Sequence, residues 1–308
     1  MKCIFVERPT LPMAWERAVT ELWNYGDLFP THYDRPGDPP SKEVMAVIHV
    51  TEPMAEPRIH RSFCGGPADL EKYRAEVVDG VHDYWTDPVY ECSVCGVRQL
   101  DRHEGCVVHP EASLRRVVRE DYTYHSRFAD HIDQVVNMLR ADPTSRRCKL
   151  NIWQSPSDLT LPHAPCLQYL WFRSAMTPTG PVLHMTAHIR SNDAWKAAFM
   201  NMHAFTELQA HVASQLGWPV GEYVHVADSF HIYGQDWPKF EGFLRLTTTR
   251  PVDEDRTFRT NDLLPQFIEG CDELLAEPDM PEAKKTIIQI RRTQLLDQIV
   301  QFGTGVFG

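Results

Sequence analysis

The stretch that most constrains this chain is a pair of alternating apolar runs joined by a turn. Cys166-Leu-Gln-Tyr-Leu-Trp-Phe-Arg173 leads through Thr177-Pro-Thr-Gly180 into Pro181-Val-Leu-His-Met-Thr-Ala-His-Ile189. Side chains that alternate with a period of two, broken by Pro and Gly, spell two strands of a hairpin. Cys148 to Trp153, Glu43 to Val50, Val220 to Val226 and Phe230 to Tyr233 read as further strand material. A sheet is therefore expected, with helices placed around it.

The helical stretches carry a different period. Trp15 to Trp23, residues 68–85 (Leu70, Tyr73, Val77 and Val81 on one face) and residues 128–141 (Ile132, Val135, Val136 and Leu139) repeat at three to four residues. Asp142-Pro143 stops the last of these, because proline cannot continue a helix. A helix from about Asp193 to Leu216, capped by Ser191 or Asn192, a short one within Gln235 to Leu246, and a long one from Glu282 to Phe302 follow. Phe29 to Lys42 is rich in Pro and Asp and reads as loop. Hairpin strands with helices grouped elsewhere predict an α+β fold, a large mixed sheet covered by helices. At 308 residues the chain has room for one large domain or two ordinary ones. The expectation is one catalytic domain over 1–308, with a Cys-rich insertion at 91–110.

Charge and hydropathy exclude several classes. The formal charge of −11 opposes binding to a nucleic-acid polymer. A few local arginines can still hold one phosphate. Mean hydropathy is −0.38, and no apolar run approaches the roughly 20 residues of a membrane span. Met1-Lys-Cys-Ile-Phe-Val-Glu7 lacks a secretory apolar core, so a cytoplasmic protein is expected. The eight cysteines fit reduced thiols better than a disulfide scaffold.

Three of those cysteines cluster. Cys92 and Cys95 are followed by a ten-residue spacer, 96–105, that begins with Gly96 and leads to Cys106 and His109. Two close pairs of soft or borderline ligands suit a tetrahedral structural zinc. His103 competes with His109 as the fourth ligand, and a loop of reduced cysteines is the alternative.

The reactive candidates lie elsewhere. Arginine beside a cysteine favours its thiolate, and the planar guanidinium also grips phosphate. Cys166, Arg146, Arg147 and Arg190 supply those parts. On residue type alone a buried core cysteine is the commoner reading of Cys166. Glu76, alone on an amphipathic helix, reads as solvent-facing.

The order of motifs changes that. His131-Ile-Asp-Gln134 with Asp142-Pro-Thr-Ser-Arg-Arg147, Ala164-Pro-Cys166, Arg190-Ser-Asn-Asp193 with Asn201 eight residues on, and Asp228-Ser-Phe-His-Ile-Tyr233 occur in sequence. Together they resemble the thymidylate synthase family, including its pyrimidine nucleotide hydroxymethylases. Asp34-Arg-Pro-Gly37 resembles that family's N-terminal phosphate loop. The resemblance covers about residues 128–245 and is loose before them.

The resemblance implies that Cys166 is a nucleophile attacking C6 of a pyrimidine nucleoside monophosphate. It implies phosphate contacts from Arg190, Ser191 and Arg35, and from Arg146 and Arg147 of a neighbouring subunit, hence an obligate homodimer with shared sites. His231 and Tyr233 would hold the sugar, Asn201 the base edge, and Asp193 the folate ring. The implied carbon donor is 5,10-methylenetetrahydrofolate. Tyr73-x-x-Glu76-Val-Val-x-Gly80 resembles the family's glutamate helix, making Glu76 the acid/base candidate, with Tyr124 in its water network. Asn201 matches uracil through one amide, where the deoxycytidylate hydroxymethylases resemble this pattern with aspartate.

Departures gather on the folate side. Leu167 follows the nucleophile where the synthases usually carry histidine. The family's Trp-rich segment is not recognisable; Trp85 is the nearest residue and is assigned there. The tail Gly303 to Gly308 is unlike the synthase C-terminus, and the cysteine loop is an addition. These favour hydroxymethylation of dUMP, with dTMP synthesis or a CMP or dCMP hydroxymethylase as alternatives. A catalytically silent nucleotide-binding or zinc-dependent interaction module is the competing class.

Overall fold

The computed structural model describes residues 1–99, 105–249 and 256–304. Its framework is a mixed sheet. In chain order the strands are β1 (Cys3–Arg8), β2 (Asp27–Phe29), β3 (Ser41–Val50), β4 (Lys149–Asn151), β5 (Leu167–Thr177), β6 (Gly180–Asp193) and β7 (Val220–Ile232). Across the sheet they run β1-β3-β7-β6-β5-β4, with β2 also on β3. The β1–β3 and β6–β7 pairs are parallel and the rest antiparallel. The hairpin from Cys166 to Ile189 is thus β5–β6, turning where Gly180 takes a φ of 123° that favours glycine.

The helices are α1 (Leu11–Tyr25), α2 (Pro67–Arg74), α3 (Tyr124–Ala141), α4 (Ala198–Leu216), α5 (Trp237–Thr249), α6 (Leu264–Leu275) and α7 (Glu282–Thr304). α1, α3 and α4 pack on the sheet. Alternate strand residues (Ile48 on β3, Phe172 on β5, Ala187 on β6, Tyr223 on β7) are fully buried beneath these helices. Trp15 of α1 is buried against Trp195 and Phe199, and its indole N–H donates to the Ala194 carbonyl at 2.8 Å. The other sheet face has no helical cover among the described residues. There His49 bridges Glu7 and Glu222, and His188 bridges Tyr169 and Asp228. No helix among the described residues is long and apolar enough to cross a membrane.

Three expectations need correction. The helix expected over 68–85 is broken: α2 ends at Arg74, a π turn covers Ala75–Asp79, and Gly80 stops the run at φ 61°. Asp83 and the His125 side chain crowd the space a Cβ at Gly80 would occupy. Ser191 and Asn192 do not cap α4. They continue β6, where Asn192 and Asp193 pair with Phe230 and His231; their backbone groups belong to the ladder, and the helix starts at Ala198. The two strands expected between Val220 and Tyr233 are one, β7. Short strands at Val89–Cys92, Arg98–Gln99 and Leu114–Val117 form a separate small sheet that no alternating pattern announced.

Candidate active site

Strand directions bring the motifs to one rim. The parallel strands β6 and β7 end there with Asp193 and Ile232, and their antiparallel neighbours β3 and β5 begin there with Ser41 and Leu167. Cys166, Arg190 to Asp193, His231, Tyr233 and the loop carrying Arg35 therefore meet at the carboxyl ends of the central strands. Open sheets place their ligand sites at such ends.

Cys166 is half-buried just before β5. The backbone N–H of Arg190 donates to its carbonyl at 2.9 Å. The Arg190 guanidinium donates to the Pro165 and Ala164 carbonyls at 3.0 and 2.7 Å, so the arginine fixes the turn that presents the thiol. Burial pushes the thiol up from its ordinary value and Arg190 offsets part of that. Four phenols surround this sulfur, Tyr73, Tyr122, Tyr124 and Tyr233, and a thiolate there would disfavour their ionisation. Burial raises all four, Tyr122 and Tyr233 to about 12.

Asn201 sits in a chain of hydrogen bonds. Its Nδ2 donates to the Tyr73 hydroxyl at 2.6 Å, and its Oδ1 accepts from Asn192 Nδ2 at 2.9 Å. Asn192 Oδ1 lies 2.8 Å from His225 Nε2, and His225 Nδ1 lies 2.8 Å from the Tyr223 hydroxyl. Each Asn201 amide atom keeps one unused bonding site. Asp193 is raised by burial and accepts from the Trp195 and Lys196 backbone N–H groups. Ser191 is half-buried beside Arg190. The His231 ring lies 4.7 Å from that of Tyr233, which meets Tyr33 at 5.8 Å. Tyr33 ties the loop of Arg35 to this rim. Asp34 shapes the loop by accepting from Thr31, and Arg35 is exposed.

A cleft of about 540 Å³ opens beside the thiol's phenols, lined by Tyr73, Glu76, Trp85, Tyr122, Tyr124, His163 and the stretch 118–123. Glu76 stands on the π turn and faces this cleft, so it is not a plain solvent-facing glutamate. Its Oε2 lies 3.1 Å from His82 Nδ1, and His82 Nε2 lies 3.1 Å from Glu277. His82 stacks on Trp85 with ring centres 3.8 Å apart. Tyr124 accepts the Leu167 backbone N–H at 3.4 Å. A neighbouring cleft of about 400 Å³ shares Trp85 and Arg119 with the first.

Arg146 and Arg147 are not brought to Cys166 of their own chain. They are exposed and line a shallow cleft with Lys149, Tyr169, Trp171 and Thr186 on the bare sheet face. The Trp171 indole donates to the Arg146 carbonyl; Trp171 lies five residues along from Cys166, about 16 Å of strand. Cys92, Cys95, Cys106 and His109 do converge, with ligand atoms within 4.8 Å of one another. His103 lies outside the described residues, as does the tail beyond Thr304.

Sequence reasoning missed Tyr73, Tyr122, His163, Asn192 and His82 as site residues. Tyr73 stood in plain view three residues before Glu76, one helical turn away, but was assigned to the apolar face. Asn192 lies inside the Arg190-Ser-Asn-Asp193 motif, where a helix cap is the plainer expectation for an asparagine.

These features define an α+β enzyme with its cleft at the carboxyl ends of the central strands. The family model "Thymidylate synthase" matches residues 88–263, more than half of the chain. A protein of Methanosarcina mazei named "Putative thymidylate synthase" is 24% identical over 240 residues, 75% of this chain and 90% of that one. The thymidylate synthase of Streptococcus gordonii is 28% identical over 117 residues, 38% of this chain and 42% of its own. Thermostable thymidylate synthase A from Bacillus subtilis superposes with a TM-score of 0.51 at 17% identity, covering 77% of this chain and 84% of that structure, a likeness of fold. The chain belongs to the thymidylate synthase family. It is a one-carbon transferase, of the kind that acts at C5 of a pyrimidine nucleotide with methylenetetrahydrofolate.

Proposed function

We propose that the enzyme hydroxymethylates dUMP at C5, with 1–308 as one catalytic unit. The observation that carries the reading is the Cys166 turn, fixed by Arg190 beside a cleft lined by Glu76, Tyr73, Tyr122 and Tyr124, with the Asn201 amide bonded to Tyr73. The Cys166 sulfur bonds to C6 of the ring, and the electron pair shifts toward O4, making C5 nucleophilic. Arg190, Ser191 and Arg35 take the phosphate, and His231 and Tyr233 the sugar hydroxyl. Phosphate bound at Arg190 adds contacts without removing that residue's hold on the 164–165 turn.

Asn201 reads the base. Tyr223 is fully buried, and the His225 ring is its sole hydrogen-bond partner among the described residues. If His225 donated to it, the Tyr223 proton would be buried without a partner, at about 1–3 kcal/mol. Tyr223 therefore donates, His225 passes a proton-bearing nitrogen to Asn192, and the chain runs one way to Tyr73. Burial holds His225 neutral, pushed down to about 3, as this requires. The sense of the Asn201 amide is thereby set: its spare N–H serves a carbonyl O4 and its spare lone pair an N3–H, the pattern of uracil.

The residues fit a folate. Two clefts share Trp85 and Arg119 and have aromatic walls, and half-buried Asp193, at the end of β6, offers a carboxyl for the ring. When bound, that cofactor supplies the electrophilic carbon. Glu76 accepts the C5 proton across the cleft, and His82 with Glu277 holds its carboxylate in place. Loss of that proton restores an electron pair at C5, which expels the folate nitrogen from the transferred carbon; water takes its place, and the ring expels the Cys166 thiolate from C6. Arg119, Glu120 and Asp121 give the folate wall an exposed, charged character. A wall of that kind admits water to the activated carbon, which favours hydroxymethyl over methyl. Leu167, apolar and fully buried, adds no polar group beside the thiol.

The bare sheet face and the two arginines at its edge support a homodimer whose subunits lend each other Arg146 and Arg147. Incubation with dUMP, UMP, dCMP or CMP plus methylenetetrahydrofolate, followed by mass spectrometry, tests the chemistry. dUMP gaining CH2O is expected. A gain of CH2 makes the enzyme a dTMP synthase, and no product from folded protein overturns the reading.

A further inference from the structure

We propose that Cys92, Cys95, Cys106 and His109 bind one zinc ion, and that this ion braces the wall of the active-site cleft. The first half stands on the small sheet. In its described residues, 89–99 and 105–117, Cys92 and Cys106 are the only buried side chains. Val94, Val107 and Val108 point to solvent, 66, 72 and 58% exposed. A three-stranded sheet without an apolar centre does not hold itself together. Here the centre consists of thiols.

The local backbone is shaped for sulfur to be charged. Val94 N–H donates to Cys92 Sγ at 3.4 Å; Val108 and His109 N–H donate to Cys106 Sγ at 3.4 and 3.3 Å. Gly96 and Gly105 adopt φ of 71° and 63°, turning the chain after the first pair of cysteines and before Cys106. His109 Nδ1 is buried with no hydrogen-bond partner among the described residues. Cys95 and Cys106 sulfurs are 3.6 Å apart with no disulfide between them. Three thiolates and one imidazole favour Zn²⁺ over harder cations. Each thiol gives up its proton on binding.

The second half follows from where the small sheet attaches. Its first strand begins four residues after Trp85, and its last ends at Val117, next to residues 118–123 of the cleft wall. Arg119 and Glu120 N–H groups both donate to the Trp85 carbonyl at 3.1 Å, and the Arg119 guanidinium lies 3.9 Å from the Trp85 ring centre. The two ends of the insertion are thus pinned to each other at the cleft. A metal that closes the far end fixes the path between them.

Protein purified under reducing conditions should contain about one zinc per chain by plasma mass spectrometry. Cobalt in its place should give the visible and thiolate charge-transfer bands of a tetrahedral sulfur-rich site. Cys92→Ser and Cys106→Ser should lose zinc at least tenfold, while Cys64→Ser, outside the small sheet, keeps it. Because those variants could fail to fold, the wild-type enzyme is also stripped with a chelator and reloaded. Trypsin should then cut at Arg115, Arg116 or Arg119 at least tenfold faster in the stripped protein, and reloading should restore protection. Failure to take up zinc overturns the site; zinc uptake with equal cleavage rates overturns the brace. Both readouts stand whether or not the proposed hydroxymethylation is correct. A rise in KM for folate on stripping is the one expectation that rests on it.

Discussion

At the scale of single residues the chemistry depends on which atoms carry protons. On the proposed reading, the buried phenol of Tyr223 acts on the substrate through three intermediaries without touching it. Tyr223→Phe removes the group that sets the sense of the chain, leaving His225 free to carry its proton on either nitrogen and Asn201 free to flip. The preference for dUMP over dCMP, measured as a ratio of kcat/KM, should then fall about tenfold, with about 1–3 kcal/mol lost from stability in urea. An unchanged ratio would detach the chain from substrate choice. Cys166, Arg190, Asn201, His231 and Tyr233 could be picked out of the sequence as candidates because each sits in a motif with fixed spacing, and their roles stay part of the proposal. Asn192, His225 and Tyr73 were not. A buried polar side chain is recognisable only by its partner, and these partners, on β6, β7, α2 and α4, meet only in the folded chain.

Among the elements, amphipathic helices were read most faithfully. The buried faces of α3 are those that its period marks. The segment 68–85 misled because Val77, Val78 and Val81 are all buried and continue an apolar pattern across a change of helix type. α4 illustrates how an element is anchored. Arg58, from the loop before Ile59, donates to the Pro53 carbonyl and Thr206 hydroxyl at 3.2 and 3.0 Å and pairs with Glu207. Burial alone would raise the Glu207 carboxyl, but Arg58 overrides it and holds the group at about 2. A carboxyl depressed from 4.5 in this way stabilises the fold above that pH, and the contribution is lost as pH falls toward 2. Arg58→Met strands the carboxylate and should cost about 3–5 kcal/mol at neutral pH. Its stability, followed by urea titration between pH 7 and 4, should rise relative to wild type as acid neutralises Glu207.

For the molecule as a whole, the α+β class and the large mixed sheet were legible, but the strand order was not, since β1 and β7 reach β3 only through tertiary contacts. The bare face of that sheet bears on the enzyme's assembly. Cys166→Ala and Arg147→Ala should each be inactive as purified. Unfolded together and refolded as a mixture, they should recover about a quarter of the wild-type rate, through mixed dimers that pair the intact thiol with the intact arginine. No recovery would mean that each chain works alone. The direction of β6 and β7 carries one more consequence. Two neighbouring strands that point the same way deliver everything reactive to one end and nothing to the other. The far end, with the Thr177–Gly180 turn and the Trp218-Pro219 corner, is free to drift or lengthen unnoticed by the substrate. The small cysteine-bearing sheet instead adjoins residues 118–123 of the cleft wall, so on the proposed reading a change of its length or shape reaches the reacting groups.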